Sequence, residues 1–379
     1  MQRLRLGVSG PEVSRMGLGT MGLGGRYEKN VLSDSKHVEL IRDALALGIN
    51  FFDSAEVYAH GHAEELLGEA ILGRRANVVV STKFEARKSR HADVIAAAEG
   101  SLRRLQTDYI DIYQGHWPNP SVPLADTAAA LERLWRDGKI RYVGLSNTAS
   151  AEARQMRQLL PVTVPMVAMQ QEYNLSERFV EYRLLPLCRE LGMDLVACSP
   201  MAQGRLGRLS EGTEAALLNR IASDYSFTPL QMALAWVIRQ PNTLPLCMTS
   251  SLIHLEANVA AVERASEIAA SDILALSDGF VRPTIEVPTD AIDVVEGHTG
   301  RVFHTLDEAL DNTLGMSPSP RAFAETLKET DLLKPVKLRR AIEEGRYELF
   351  EGQLRYWAWV IAHDGRKPIA ATLHPGKIE

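Results

Sequence analysis

Long hydrophobic runs are missing from the 379-residue sequence. No stretch reaches the roughly 18 consecutive apolar residues of a transmembrane helix, and residues 1–7 lack the apolar core of a signal peptide. Basic residues are also too few to outnumber the acidic ones, and the net charge is −6. This balance argues against nucleic acid or an anionic membrane as a partner. We therefore expect a cytoplasmic protein that binds neither.

Cysteine is scarce as well. The three cysteines, Cys188, Cys198 and Cys247, are an odd number and lie within apolar patterns, which favours reduced, buried thiols over a disulfide framework. The hydrophobic content of 45% is ordinary for a globular protein, so the chain can build a core without cross-links.

Strand-like and helical patterns alternate over residues 1–282. After a hairpin at residues 1–16, we predict strands beginning at residue 16 and at 49–53, 77–82, 109–115, 141–145, 166–171, 194–198 and 244–248. We predict helices beginning near residue 33 and at 62–73, 91–106, 124–138, 150–159, 178–192, 213–224, 228–240 and 253–271. Eight strands alternating with helices predict a closed (β/α)8 TIM barrel and not an open doubly wound sheet.

The alternation stops after Pro283. We predict an extra, mostly helical C-terminal segment of unknown role at 283–379, with helices at 305–314, 319–330, 335–344 and 347–363. The last of these segments also shows strand-like alternation, so a strand is the alternative there. We also hypothesise that this segment folds onto the barrel or onto a second copy of the chain, which would bury Trp357 and Trp359 and give a homo-oligomer.

Four chemically useful residues stand at or just past the ends of successive predicted strands: Asp53, Tyr58, Lys83 and His116. In a parallel barrel, catalytic groups collect at this carboxyl edge. An unperturbed phenol has a pKa near about 10, and a neighbouring ammonium would stabilise the tyrosinate and lower that pKa. Asp53 could hold the Lys83 ammonium in place, and His116 could orient a carbonyl group that accepts a proton from Tyr58.

Several motifs in order resemble the aldo-keto reductase family. Residues 48–58 read GINFFDSAEVY, residues 138–147 read GKIRYVGLSN and residues 170–174 read QQEYN. The resemblance covers about residues 1–282 and leaves the rest of the chain outside it. It implies a (β/α)8 barrel that interconverts a carbonyl compound (an aldehyde, a ketone or a sugar-like carbonyl) and an alcohol by hydride transfer from NAD(P)H. It also assigns the catalytic roles to the same four residues, with Tyr58 as general acid and base.

The resemblance implies a cofactor site on the later strand ends. The nicotinamide carboxamide would contact Ser146, Asn147 and Gln170. The phosphates would lie against residues 199–204, where small residues permit close backbone approach, and the adenosine end against residues 248–258. The expected contacts in these last two segments are Ser199, Pro200, Met201, Gln203, Gly204, Ser250, His254 and Asn258.

Cofactor preference and substrate contacts are less strongly implied. NADP(H) is the family habit, but His254 and Met248 stand where NADP-using members often carry fixed cations, which grip a 2′-phosphate best. NAD(H) therefore stays open. Side chains expected at the substrate mouth are Met21, Leu23, Tyr27, Trp117 and Asn119.

Other chemistries fit the sequence less well. Residues 17–22 read GLGTMG, but no helix pattern opens on the third glycine, as a dinucleotide-binding fingerprint requires. Residues 60–62 read HGH, yet later strand ends offer no further histidine, and we expect no metal. A Schiff-base role for Lys83 wants a desolvated, unpaired amine. A cofactor-sensing subunit with little turnover remains the alternative to an enzyme.

Overall fold

The computed structural model describes residues 1–25, 28–280, 284–295, 301–316, 318–328 and 334–373. The chain forms two compact units. The first comprises Met1–Pro118 and Leu124–Val281, and the second comprises Asn119–Pro123 and Arg282–Glu379. Each unit is described by itself.

Eight parallel strands in the described part of the first unit close into a barrel, as predicted. They are β3 (Gly17–Gly19), β4 (Phe51–Asp53), β5 (Val79–Phe84), β6 (Ile110–Gly115), β7 (Ile140–Ser146), β8 (Met166–Glu172), β9 (Asp194–Cys198) and β10 (Thr243–Cys247). Strand β10 pairs with β3 and closes the ring. Gly17 is required at this closure, because a Cβ there would lie 2.4 Å from Cδ1 of Phe51.

Amphipathic helices connect the strands. They are α1 (Asp34–Ala46), α2 (His62–Ile71), α3 (His91–Leu105), α4 (Leu124–Arg136), α5 (Ser150–Leu159), α6 (Val180–Leu191), α7 (Gly212–Asp224), α8 (Pro229–Ile238), α9 (Leu252–Arg264) and α10 (Ala270–Gly279). Local sequence explains some starts. Thr228 caps α8 by accepting from the Gln231 amide at 3.2 Å, and the Gln231 side chain accepts from the Thr228 amide at 2.9 Å, which is a capping box.

The single helix predicted at 253–271 is wrong. Helix α9 ends at Arg264, and α10 begins only at Ala270. Ile268 is extended and buried between them. The Arg239 guanidinium donates to the carbonyls of Ala265 and Ile268 at 3.1 and 2.8 Å, so it satisfies backbone acceptors that the break releases.

The N-terminal hairpin consists of β1 (Arg3–Arg5) and β2 (Glu12–Ser14), which pair antiparallel as predicted. Its side chains Leu6 and Val13 are fully buried in a cluster with barrel residues such as Phe51 and Val167. The Gly7 amide donates to Asp194, the first residue of β9, at 2.8 Å. The hairpin therefore packs at the amino-terminal end of the barrel and leaves the carboxyl end to the candidate site.

The second unit contains both helix and sheet. Its described elements are β11 (Ile285–Val287), β12 (Ile292–Asp293), α11 (Leu306–Leu310), α12 (Pro320–Leu327), β13 (Val336–Arg340), β14 (Tyr347–Glu351), α13 (Gln353–Ala362) and β15 (Ile369–Leu373). The strands form a mixed sheet in the order β11-β15-β13-β14-β12. The helix predicted at 335–344 is wrong. Strand β13 occupies most of its first half, and the alternate side chains Val336 and Leu338 are buried in the hydrophobic core of this unit. At 347–363 only the second half is helical.

Trp357 and Trp359 are buried, but within a hydrophobic cluster of the second unit itself. The indole N–H of Trp357 donates to the Phe303 carbonyl at 3.0 Å, and that of Trp359 donates to the Lys367 carbonyl at 3.1 Å. This unit therefore has a core of its own. In the described parts of the whole chain, none of the helices is both long enough and apolar enough to span a bilayer.

Candidate active site

The residues predicted to act together lie at one edge of the barrel. Asp53 ends β4, Lys83 lies one residue before the end of β5, and His116 directly follows β6. Ser146 ends β7, and Gln170 lies near the end of β8. Because all these strands are parallel, their carboxyl ends surround one opening.

Asp53 and Lys83 form a buried ion pair. The Lys83 Nζ atom donates to Asp53 Oδ2 at 2.6 Å and to the Ser54 carbonyl at 2.7 Å. Both side chains are almost completely inaccessible to solvent. Burial alone would lower the pKa of Lys83, but the interactions with Asp53 and then with Tyr58 outweigh burial and raise it. The amine is therefore held as a cation.

Tyr58 lies beside this cation. The Lys83 Nζ atom is 5.5 Å from the centre of the phenol ring. Burial raises the pKa of Tyr58 above its usual value, and the positive charge of Lys83 opposes that shift without cancelling it. Lys83 thus lowers the pKa of Tyr58, as predicted. The net pKa is nevertheless raised, because desolvation has the larger effect. Ala59 and His60 follow with φ values of 49° and 56°, a rare conformation often found at functional sites.

His116 is packed between two aromatic rings. It stacks on Trp117 with ring centres 4.0 Å apart, and it meets the Tyr58 ring edge-on at 5.6 Å. Burial, assisted by the charge of Lys83, lowers the pKa of His116 to about 3. The imidazole is therefore neutral at physiological pH. Its buried Nδ1 atom has no hydrogen-bond partner within the described residues.

Ser81 and Gln114 complete a buried polar network that the sequence analysis missed. Ser81 Oγ donates to Asp53 Oδ1 at 2.9 Å, and Gln170 Nε2 donates to Asp53 Oδ2 at 3.2 Å. Gln114 Nε2 donates to Ser81 Oγ at 3.2 Å and to Gln170 Oε1 at 2.8 Å. The spacing along the strands could have revealed them, because alternate residues of a strand point to the same face. Ser81 stands two residues before Lys83, and Gln114 stands two residues before His116.

Asn147 joins the histidine to the predicted nicotinamide contacts. Its side-chain amide donates to the His116 carbonyl at 2.9 Å and to Ser146 Oγ at 3.1 Å. Its backbone amide donates to the Gln170 carbonyl at 3.1 Å. The residue has a φ of 52°, which asparagine tolerates better than most residues do. Ser146, Asn147 and Gln170 are thus brought together beside Asp53.

The loop after β9 is locally strained. Ser199, Ala202, Gln203 and Gly204 all have φ values between 50° and 82°. The Ala202 amide donates to the Ser199 carbonyl at 2.9 Å, and Pro200 is buried while Gln203 is exposed and Met201 is half-buried. The Gly204 amide likewise donates to the Met201 carbonyl at 3.0 Å, so both bonds close tight turns within the loop.

The segment after β10 leads into the N-terminus of α9. Ser250 and His254 are exposed there, whereas Asn258 is buried on the next turn. Ser251 occupies the N-cap position but makes no side-chain capping bond to the helix. The first turn of α9 therefore presents N–H groups that helical geometry leaves without intrahelical acceptors.

The predicted substrate contacts are placed unevenly. Met21 is half-buried and Leu23 is buried in the loop after β3, and Trp117 is half exposed while it stacks on His116. Asn119 belongs to the second unit, where its side chain accepts from the Ser121 amide at 3.0 Å. Tyr27 lies outside the described residues. The four that can be described remain predictions as substrate contacts.

Two other sequence features have local roles. The ring nitrogens of His62 lie 2.7 Å from Glu65 Oε2 and 2.9 Å from Asp34 Oδ2. The three cysteines are free thiols, and Cys188 and Cys247 are buried. Burial raises the pKa of each of these two thiols to about 12, so neither is a thiolate nucleophile.

The parallel barrel carries a buried carboxylate–ammonium pair, a phenol and an imidazole at its carboxyl edge. These groups are typical of barrel enzymes that use acid–base catalysis. The model of the aldo/keto reductase family matches residues 15–276. The chain belongs to this family of NAD(P)H-dependent oxidoreductases, as the motifs predicted, and the relatives favour an enzyme over a sensing subunit.

Individual relatives cover most of the barrel. The chain is 34% identical to methylglyoxal reductase YeaE of Escherichia coli (strain K12) over 277 residues, which are 73% of this chain and 95% of that protein. It resembles the thermostable aldo-keto reductase Tm1743 with a TM-score of 0.69 and 33% identity, covering 74% of this chain and all of that one. An aldo-keto reductase from Klebsiella pneumoniae, solved with NADPH, gives 0.67 and 33%, covering 75% and 96%.

Proposed function

We propose that this protein reduces a small aldehyde or ketone with NADP(H), with Tyr58 as the general acid, and oxidises the alcohol in reverse. The observation that carries the proposal is the buried Lys83–Asp53 pair, at 2.6 Å, with the ammonium 5.5 Å from the Tyr58 ring. This arrangement provides a proton donor whose conjugate base is stabilised by a nearby cation.

The residues around the edge fit a nicotinamide dinucleotide. Ser146, Asn147 and Gln170 supply amide and hydroxyl groups for the carboxamide. The first turn of α9 presents backbone N–H groups that suit phosphate oxygens, and the small residues of the loop at residues 199–204 permit close backbone approach. The bound cofactor would supply the hydride that reduces the carbonyl carbon. The expected contacts are Ser146, Asn147, Gln170, Ser199, Pro200, Met201, Gln203, Gly204, Ser250, His254 and Asn258.

Proton transfer in this proposal follows from the charge states. The raised pKa of Tyr58 keeps its hydroxyl protonated at neutral pH, so the group is ready to donate. The Lys83 cation then stabilises the tyrosinate that remains after transfer. Neutral His116 can donate a hydrogen bond to the carbonyl oxygen and orient it, but it carries no positive charge that would compete for the proton.

Relatives narrow the cofactor and the first substrates to try. The Klebsiella pneumoniae structures contain NADPH in one case and NADP with acetate in another, which supports NADP(H) over NAD(H). The Escherichia coli relative is named a methylglyoxal reductase. We therefore propose short aldehydes and ketones, with methylglyoxal as the first candidate, and Trp117 and Met21 as wall residues.

The division of labour along the chain is also a proposal. We assign catalysis to residues 1–282 and treat residues 283–379 as an extension. A self-contained hydrophobic core in the second unit supports this division. Association of two chains through the extension remains a hypothesis, which the mass of the full chain in solution would test.

Replacing Tyr58 by phenylalanine tests the function. The Tyr58→Phe variant keeps the ring and loses the transferable proton, so we expect kcat with methylglyoxal to fall by about 10²–10⁴-fold, the usual contribution of a positioned acid. NADPH affinity, measured by fluorescence titration, should change little. Tyr225→Phe is the matched control, because Tyr225 binds Asp272 at 2.7 Å on the helical layer. Undiminished turnover in Tyr58→Phe would overturn the assignment.

A further inference from the structure

In the buried network around Asp53, each hydrogen bond can have only one donor and one acceptor, and the carboxylate determines which group donates. A carboxylate only accepts hydrogen bonds, so Gln170 must present its NH2 group to Asp53 Oδ2, at 3.2 Å. The Gln170 carbonyl oxygen therefore points away from Asp53 and needs a donor. That donor is Gln114 Nε2, at 2.8 Å.

The orientation of Gln114 follows from the same reasoning. Its NH2 group must face Gln170, and its second N–H then points at Ser81 Oγ at 3.2 Å. Ser81 accepts there and donates its own hydrogen to Asp53 Oδ1 at 2.9 Å. Two chains of hydrogen bonds thus begin at one amide group and converge on the carboxylate that pairs with Lys83.

We propose that Gln114 is a positioning residue that determines the orientation of the Gln170 amide and the hydroxyl direction of Ser81. The inference rests on the proposed function, in which Gln170 contacts the cofactor and Asp53 holds Lys83. Gln114 touches neither cofactor nor substrate in this scheme. Its donor end alone is used, because its buried Oε1 atom has no hydrogen-bond partner among the described residues.

The barrel has a space shaped for this side chain. On the neighbouring strand β7, Gly144 faces Gln114, and a Cβ at Gly144 would lie 2.8 Å from Gln114 Oε1 and 2.9 Å from Ile112 Cγ2. The φ of Gly144 is not left-handed, so the glycine is explained by this close approach and not by backbone conformation. Close packing keeps the Gln114 amide from rotating away.

Two substitutions of Gln114 distinguish its role as a hydrogen-bond donor from the space that its side chain fills. In Gln114→Met the side chain keeps its length and loses its donors, so Gln170 Oε1 becomes a buried acceptor without a partner. We expect NADPH affinity and kcat to fall by about tenfold each, in line with the usual cost of such an acceptor. In Gln114→Glu an ionised carboxyl would face Gln170 Oε1, so a larger loss is expected at pH 8.

The pH profile of Gln114→Glu gives the decisive reading. Burial raises the pKa of a carboxyl group, and its protonated form can donate to Gln170 Oε1. The ratio of kcat/KM between Gln114→Glu and the natural protein should therefore rise about tenfold or more as the pH falls from 8 to 6. The same ratio for Gln114→Met should stay flat, because methionine does not titrate.

Gln171→Met is the matched control. Gln171 is equally buried and adjacent to Gln170, but it points to the opposite face of β8 and makes no bond to the network. It should leave the kinetics and the pH profile unchanged. Gly144→Ala displaces the amide without altering it chemically, and should reproduce the Gln114→Met losses in a chain that circular dichroism shows to be folded.

The proposal and the function fail in distinguishable ways. Normal kinetics and a flat pH ratio in folded Gln114→Glu, together with an inactive Tyr58→Phe variant, would overturn the role of Gln114 and leave the reductase assignment standing. Losses in Gln171→Met equal to those in Gln114→Met would also overturn it, since they would reflect core packing alone. Activity in Tyr58→Phe would overturn the function itself.

Discussion

His116 shows how burial decides a charge state. It is 7% exposed, it stacks on Trp117, and the Lys83 ammonium lies within electrostatic range. A second positive charge in this place would lack both water and a counter-ion, because Asp53 is already paired with Lys83. The neutral imidazole can still donate one hydrogen bond, which is all that orienting a carbonyl requires.

This charge state predicts a pH-dependent stability. The pKa of His116 is about 3 in the folded protein and near 6.5 in the unfolded chain. Between these values the unfolded chain binds the extra proton, so stability falls as the pH drops below 6.5. The loss from this residue between pH 7 and pH 4 should be about 3 kcal/mol.

The measurement compares urea unfolding of the natural protein and His116→Gln at both pH values. The variant lacks the titrating ring, so its loss of stability over the same interval should be smaller by that amount. Equal losses in the two proteins would show that His116 does not titrate as its burial requires.

The positions of individual site residues were predictable from sequence where a predicted strand ends in a reactive side chain. Asp53, Lys83 and His116 come together because parallel strands share an edge, and that rule needs no coordinates. The sign of the Tyr58 pKa change was not predictable, since it depends on how deeply the ring is buried. Gln114 was also missed: its spacing from His116 places it on the same face of the strand, but its role depends on partners that the sequence does not reveal.

Two buried glycines in the helical layer of the barrel have different surroundings. A Cβ on Gly68 of α2 would lie 2.7 Å from the backbone carbon and oxygen of Leu105 at the end of α3. A Cβ on Gly100 of α3 would meet only the end of the Arg104 side chain, at 3.1 Å. Backbone cannot yield to an added methyl group without moving a helix, whereas a guanidinium can shift slightly.

We expect Gly68→Ala to lower the free energy of unfolding by about 1–3 kcal/mol, because overpacking outweighs the gain in helix propensity. Gly100→Ala should be neutral or stabilising by up to about 1 kcal/mol. Chemical denaturation of both variants measures the difference. A Gly68→Ala protein as stable as Gly100→Ala would contradict the close contact of α2 with α3.

Helices and strands were predicted well where the apolar residues follow a single period, either that of a helix or that of a strand. They were predicted poorly where the sequence suits both. The strand at Val336–Arg340 carries apolar residues at alternate positions, but its arginines and the following Glu343 and Glu344 also suit a helix. Pairing with β14 and β15 decides in favour of the strand. At Ile268 the reason is similar, because burial of one side chain interrupts a run that is otherwise compatible with helix.

At the scale of the whole molecule, the chain contains two separate hydrophobic cores. Trp357 is 6% exposed in the core of the second unit, and Trp236 is fully buried in the barrel unit. Truncating either indole leaves a large cavity, which costs about 3–5 kcal/mol. The two losses should appear in different parts of the chain.

We expect Trp357→Ala to accelerate backbone hydrogen exchange in residues 334–373 and to leave exchange in the barrel strands unchanged. Carbonyl reduction should continue at a similar rate, since the proposed catalytic residues all belong to the first unit. Trp236→Ala is the reciprocal control and should affect the barrel. Loss of activity in Trp357→Ala with an unchanged barrel would show that catalysis needs an intact second unit.

The order of the barrel strands separates the two proposed tasks along the gene. In the proposed function, the residues that handle the proton lie near or after the ends of β4 to β6, and the residues that contact the dinucleotide lie near or after the ends of β7 to β10. A chimera joined between β6 and β7 would therefore inherit its acid from one parent and its coenzyme selectivity from the other. The bond from Gln170 to Asp53 spans this seam, so parents that differ at either residue would make poor recombination partners.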